Sequence, residues 1–506
     1  MRLRALTTAE QLGGALASAR SGRAAAARAR LLTLVRALVP HDVPREGAAL
    51  VAAVAGVLDG GDRSDVWLTL AVLRAELPLD EEVARTARAI ALDGSVPTLA
   101  SLLLPSANPL ERGRELRTVE VATHRVLVDV EHTSHTGLAT GIQRVARQTA
   151  VRWAAAHDLT FVGWTHDGRA MRRLTPEEED VALHGGGEDG RRRRDDGHVL
   201  VPWKCTYVLP ELAVEPPRTA RTLGLARWSR CRTGVIGFDC VPLTTAETIG
   251  DGMGAAFANS LAAVRHMDRV AAISHAAAAE YLGWRRMLSG TGFAGPDIVP
   301  VVLPVEAQAP DPEVLAAARE RLGVDETPLV LCVGSHEPRK NHLAVLAAAD
   351  LAWRTGTRFT LLFVGGHAWR SDEFLARVDE LRAAGRPVET ITAVSDDLLW
   401  SAYVLARCVV FPSLNEGFGL PVAEAIAAGT PAITSDFGSM REIAASGGAV
   451  LVDPRDDRAL ADALRSLVED DALHARLAAE ARRAPRRTWD EYAEELWQTL
   501  VVRPAP

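Results

Sequence analysis

The chain has 506 residues, 48% hydrophobic and 24% charged, which is the composition of an ordinary folded protein. That length exceeds what one hydrophobic core normally organises, so two or three domains are expected. A formal net charge of -8 excludes the overall basic field of a nucleic-acid binder. Cys205, Cys231, Cys240, Cys332 and Cys408 are scattered, with no C-x-x-C pair, so neither a zinc site nor a disulfide framework is expected. No apolar run approaches the ~18–20 residues of a membrane span. The opening MRLRALTTAEQLGG lacks the apolar core of a secretory leader, so a cytoplasmic location is expected.

Residues 1–118 read as a helical extension. SGRAAAARARLLTLVRALVP is rich in good helix formers, with Leu31, Leu34, Val35 and Leu38 at helical spacing. Its basic face suits solvent, and a peripheral contact with an anionic membrane is the sharper alternative. From Arg125 the rhythm changes to RVLVDV, LTFVGW, HVLVPW, TGVIGFD and RVAAIS, with a helix over TGIQRVARQTAVRWAAAH. Strands alternating with helices predict a parallel sheet over residues 119–305. Arg191–Arg194 lie in a Gly-rich, mixed-charge loop that reads as solvated, with an anionic acceptor as the alternative.

The Pro-rich DIVPVVLPVEAQAPDP reads as a linker to a second alternating series, residues 306–488. There PLVLCVG, RFTLLFVGG, VETITAV, CVVFPS, TPAITS and GAVLVDP are strands between helices, a doubly wound α/β pattern. TWDEYAEELWQTLVV, within residues 489–506, reads as an amphipathic terminal helix. The expected fold class is therefore α/β, two Rossmann-like domains facing a cleft, with ligands outside the carboxyl ends of the strands.

Chemistry concentrates in NEGFGLPVAE. Gly417 and Gly419 lie between a strand end and a helix start, where they let backbone approach a ligand. Free N–H groups there favour an anionic or hydroxyl-rich ligand. Glu416 on the loop and Glu424 in the first helical turn could accept hydrogen bonds from sugar hydroxyls. Taken alone, this E-x7-E spacing is better explained by a loop carboxylate and an acid that favours the helix dipole. Upstream, VGSHEPRKNH sets Gly334 and Ser335 after a strand and Arg339 and Lys340 before a helix. Cations at a helix start oppose its dipole, which favours a functional reading. They would stabilise charge on a leaving diphosphate.

Together, VGSHEPRKNH, SDDLLWSAYVLARCVVFPSLNEGFGLPVAEAIAAGTPAITSD and GGAVLVDPRD resemble the retaining glycosyltransferases of family 4, group 1 enzymes with the two-domain GT-B fold. The resemblance runs from about Arg125 to the C-terminus. It implies transfer of a hexose from a nucleotide-sugar, a mannose-type donor being favoured, to a glycan or lipid-linked glycan acceptor. It implies no metal and no cofactor beyond the donor. Carried over residue by residue, Lys340 and Arg339 would hold the diphosphate, Glu416 would face the donor sugar and Glu424 the nucleotide ribose. Backbone groups at Phe418, Gly419 and Leu420 would meet sugar and phosphate, near Gly334 and Ser335. In the first half, HTGLATGIQRV resembles the family's glycine loop, which implicates Gly141 and Arg144. GFDCVPL resembles the family's strand-end H-D or Y-D motif, with Phe238 where a cleft histidine would stand, and leaves Asp239 as either a cleft residue or a turn or helix-capping acid. The terminal helix would cross back onto the first domain. Two other functions stay open: a non-catalytic glycan-binding scaffold, and a GT-B enzyme that hydrolyses or epimerises a nucleotide-sugar without an acceptor.

Asp129 and Glu131 mimic a metal-binding D-x-D but read as a weak signal. Asp396 and Asp397 read as capping acids, His275 as structural, and GDGMG as no dinucleotide fingerprint.

Overall fold

A computed structural model describes residues 8–18, 22–39, 41, 43–44, 47–103, 116–136, 140–186, 197–324 and 327–503. The extension is helical over Ala9–Ser18, Gly22–Leu38, Gly47–Leu58, Arg63–Arg74, Asp80–Asp93 and Ser95–Leu102. Leu31, Leu34 and Val35 are buried against Val51, Val54 and Leu70. The apolar face of the Gly22–Leu38 helix that would have met a membrane therefore fills the protein's own core. Arg30 sits inside, donating to the carbonyls of Leu73 at 2.9 Å and Arg117 at 2.8 Å. Trp67 stacks on Trp203 and Asp80 accepts from Trp228 Nε1 at 2.6 Å, so the extension and the first sheet share one core. Among the described residues, no helix is long and apolar enough to cross a membrane.

The first sheet comprises β1 (Thr118–Ala122), β2 (Val126–Asp129), β3 (Thr160–Trp164), β4 (Met171–Arg173), β5 (His198–Pro202), β6 (Thr206–Leu209), β7 (Arg232–Gly237), β8 (Arg269–Ala272) and β9 (Asp297–Pro300). Their order is β1-β5-β4-β3-β2-β6-β7-β8-β9. It is not wholly parallel as the alternation predicted, because the short β4 runs antiparallel to β3 and β5. β1, β4 and β6 escape the sequence pattern. β1 carries Glu120 on an edge, β4 has only three residues, and β6 starts four residues after β5 ends. The expected linker also begins with a strand: β9 is the sheet edge, where a terminal proline is tolerated.

The second sheet comprises β10 (Leu329–Val333), β11 (Thr360–Val364), β12 (Val388–Ile391), β13 (Cys408–Phe411), β14 (Ala432–Ser435) and β15 (Ala449–Val452), ordered β12-β11-β10-β13-β14-β15 and parallel throughout. The connection reverses between β10 and β13, so a crevice opens at their carboxyl ends. VGSHEPRKNH follows β10 and NEGFGLPVAE follows β13. The motifs therefore meet because the topology places their strands side by side.

The chain then returns. Arg487 donates to the Val302 carbonyl at 2.6 Å, and the Trp489 N–H donates to Glu306 at 2.7 Å, beside the outgoing segment. Helix Trp489–Trp497 packs on helix Gly141–Ala156, with Trp153 Nε1 donating to the Ala493 carbonyl at 2.8 Å and Trp497 stacked on His157. The π-turn Gln498–Val502 then offers the Thr499 and Val501 carbonyls to Arg269 and Arg232 under β8 and β7.

Candidate active site

After β10 the backbone turns at Gly334, whose φ of 147° lies in territory that favours glycine. Its carbonyl lies so close to Gly365 that a Cβ there would stand 1.9 Å away. Pro338–Lys340 form a single 3-10 turn, and Asn341, in the left-handed region, launches the His342–Arg354 helix. The Asn341 side-chain amide donates to the carbonyls of Pro412 and Pro454 at 3.2 and 2.7 Å, which fixes the turn to β13 and β15. The buried rings of His336 and His342 pack against Phe374 beneath it. Burial pushes His342 down to about 3, so this floor is uncharged at neutral pH.

The turn presents Arg339 and Lys340 to Glu416. Lys340 Nζ lies 2.6 Å from Glu416 Oε1, and Arg339 Nη1 lies 2.7 Å from Oε2. Ser413 Oγ is 2.7 Å from Oε1, and Arg339 also donates to Glu337 at 2.6 Å and to the Asn415 carbonyl at 2.8 Å. Burial alone would raise the Glu416 carboxyl. Arg339 first, then Lys340, outweigh it and hold the group at about 2. Arg339 is correspondingly raised: burial opposes its charge, but Glu416 and Glu337 more than compensate. Glu416 is thus ionised and ringed by cations, which does not suit it to donate a proton.

Gly419, with φ 97°, caps the Leu420–Ala428 helix. Glu424 is its fifth residue, so it sits in the second turn rather than the first turn expected from the sequence. It is buried, accepting from Tyr403 Oη at 2.8 Å and, across the cleft, from Arg144 Nη1 at 2.5 Å. Burial and the Glu424 charge raise the Tyr403 phenol far above its ordinary range, so it stays a donor.

The first domain meets this loop closely. A Cβ on Gly417 would lie 2.2 Å from the Phe238 carbonyl and 3.1 Å from Asp239 Cβ. Ser274 Oγ donates to the Gly417 carbonyl at 2.6 Å. Asn415 Nδ2 lies 2.9 Å from both Glu280 and Thr244. Glu442 accepts from the backbone N–H groups of His275 and Ala276 at 3.1 and 3.0 Å, so the second domain caps a helix of the first. Gly141 abuts Leu420, a Cβ on it lying 3.4 Å from Cδ1, and the Phe418 side chain joins the first domain's apolar cluster. Burial pushes the Asp239 carboxyl up to about 6, with Arg339 opposing.

The structure therefore brings Gly334, Ser335, Arg339, Lys340, Glu416, Phe418, Gly419, Leu420 and Glu424 to one edge of the second sheet. It sets Gly141, Arg144 and Asp239 opposite. Residues 137–139 of the glycine loop and Arg191–Arg194 lie outside the described residues. Glu337, Ser413, Asn415, Glu280, Tyr403 and Glu442 were not singled out from the sequence. Glu337 carried a signal, an acid just before two cations; Glu280 and Tyr403 reach the site only through the fold. Asp129 is taken up by Tyr207, Trp164 and Arg218, and Glu131 by the Trp164 N–H. Asp396 and Asp397 stand in the first turn of the Asp396–Leu405 helix, where they complement its dipole, while the cap itself is Ser395, which accepts from the Leu398 N–H.

Residues 316–484 match the family model of the glycosyl transferases group 1. The serotype-specific mannosyltransferase WbdA of Escherichia coli is 26% identical over 340 residues, 64% of this chain and 40% of that protein. The chain thus spans about two fifths of that relative's length. The fold is shared with sucrose-phosphate synthase from Thermosynechococcus elongatus (TM-score 0.55, 17% identity, 74% of this chain and 98% of that one). It is also shared with Anabaena Alr3699/HepE in complex with UDP-glucose (TM-score 0.54, 13% identity, 75% of this chain and 100% of that one). Residues 316–484 are a group 1 glycosyl transferase domain, carried on a two-domain GT-B fold.

Proposed function

We propose that the chain transfers a hexose from a nucleotide-sugar to a hydroxyl of a glycan or lipid-linked glycan, with retention of anomeric configuration. The observation that carries this is the Arg339–Lys340–Glu416 cluster between the ends of β10 and β13, faced by the first domain. In this reading the diphosphate lies against Arg339 and Lys340, whose charges stabilise it as it leaves without a metal. Glu416 orients them and faces the sugar, while Glu424 and Tyr403 hold the ribose. The bond from C1 of the sugar to the diphosphate breaks as the acceptor oxygen bonds to C1 from the same face. The acceptor proton passes to a diphosphate oxygen, so no protein nucleophile is needed.

A mannose-type donor is favoured because WbdA, by its name, is a mannosyltransferase. The relative being an enzyme does not favour a non-catalytic scaffold. The chain would work in the cytoplasm, meeting lipid-linked acceptors at the inner membrane face. A thermal-shift screen of nucleotide-sugars tests the reading. A donor at 100 times its dissociation constant should stabilise the fold by about 2.7 kcal/mol. Product analysis by NMR, with and without added glycan, should show a new α-linked glycoside from an α-linked donor, and only when acceptor is present. Inverted product, or sugar release without acceptor, refutes it.

A further inference from the structure

The Arg144–Glu424 contact poses a problem for donor binding. Both oxygens of Glu424 are occupied, one by Tyr403 from its own domain and one by Arg144 from the other. Tyr403 is fully buried, whereas the Arg144 side chain is 30% exposed and stands on the fourth residue of its helix, at the cleft. A ribose presenting two hydroxyls to Glu424 from the cleft competes with Arg144 for the oxygen that faces it. The charges of the facing groups also matter. Arg339 and Lys340 are held by Glu416 and Glu337, and Arg144 by Glu424. Three cations thus face three carboxylates, and an incoming diphosphate meets little net positive charge. An arginine released from Glu424 would restore it. Gly141 against Leu420 sets the start of the Arg144 helix beside the loop where the diphosphate would lie.

We propose that Arg144 exchanges partners when donor binds: it yields Glu424 to the ribose and pairs with the diphosphate. Arg144 is then a phosphate-binding cation supplied by the acceptor-side domain. Donor binding replaces one interdomain contact with another, through the ligand. An arginine suits this task because its planar fork matches both carboxylate and phosphate oxygens. The inference rests on the reading of Glu424 as the ribose-binding carboxylate.

The test is titration calorimetry of the full chain and of Arg144→Ala, Arg144→Lys and Glu424→Gln. The probes are UDP, GDP, ADP and dTDP, with the matching nucleosides followed by ligand-observed NMR. Arg144→Ala should weaken the tightest diphosphate about tenfold or more, the loss of a charge-assisted bond. It should leave that nucleoside unchanged or tighter, because the competing guanidinium is gone. Arg144→Lys should recover part of the diphosphate affinity. Equal weakening of both ligands, or of neither, overturns the exchange. If Glu424→Gln binds the nucleoside like the wild type, the ribose reading fails. If Glu424→Gln weakens the nucleoside while Arg144→Ala leaves the diphosphate untouched, only the exchange fails. A wild-type chain that binds none of these probes overturns both.

Discussion

Lys340 Nζ and Glu416 Oε1 are 2.6 Å apart, joined across two loops that follow neighbouring strands of the second sheet. The ammonium lies over the Phe411 ring at 5.1 Å, so its position is fixed on more than one side. A cation held in place before substrate arrives stabilises developing charge without reorganising during the reaction.

Lys340→Ala should therefore lower transfer by about 2–4 kcal/mol of transition-state stabilisation. The fold should survive, since Arg339 still partners Glu416. Initial rates at saturating nucleotide-sugar, read beside a melting curve, check both halves; an unchanged rate rules out the role.

Gly417→Ala addresses domain contact rather than chemistry. The added methyl would stand 2.2 Å from the Phe238 carbonyl, a backbone atom that has no side-chain freedom to move away. The donor loop should lose its seat on the first domain while the second sheet stays intact. A larger radius of gyration by small-angle scattering, together with reduced transfer, is expected. An alanine variant with wild-type scattering and rate would show that the approach does not matter.

Asp239 gives a pH signature. Its folded-state carboxyl is raised from 3.8 to about 6, so the folded protein holds the proton more tightly than the unfolded chain does. The ionised form is thus disfavoured by folding, and stability is lost as pH rises from about 4 through 6. Asp239→Asn should match the wild type near pH 4 and exceed it above pH 6, by on the order of 1–3 kcal/mol. Urea unfolding midpoints across that range measure it; a pH-independent difference would contradict the assignment.

Trp497 anchors the returning helix. It is buried, stacks on His157 with centroids 3.7 Å apart and meets Trp153 edge-on. Trp497→Ala should cost about 3–5 kcal/mol, seen as a lower melting temperature. Little change would mean that the helix contributes little to the first domain.

The two-domain plan was legible because the central strands of the second sheet are nearly continuous apolar runs, LVLCV in β10, LLFV in β11 and CVVF in β13, and the loops after them carry glycine or proline. Arg339, Lys340 and Glu416 stand out in the sequence through the motifs that carry them, and the structure brings their loops together because β10 and β13 are neighbours. Glu424 lies one turn deeper than the sequence suggests because the helix begins at Leu420, directly after the Gly419 cap. Partners such as Tyr403 and Glu280 carry no local signal. They act through the register of helices whose ends meet only in the folded chain. β4 and β6 were hidden by brevity and by a tight turn at Trp203–Cys205.

The chain passes between its domains twice, outward near Val302–Glu306 and back at Arg487–Trp489, and the two passes are bonded to each other. A single linker would leave the halves free to swivel. Two segments bonded side by side tie the halves together at one seam and resist twist and slide between them. The same seam keeps Gly141 facing Leu420 and Arg144 facing Glu424 in one alignment, so the cleft is set by two crossings of the chain rather than one.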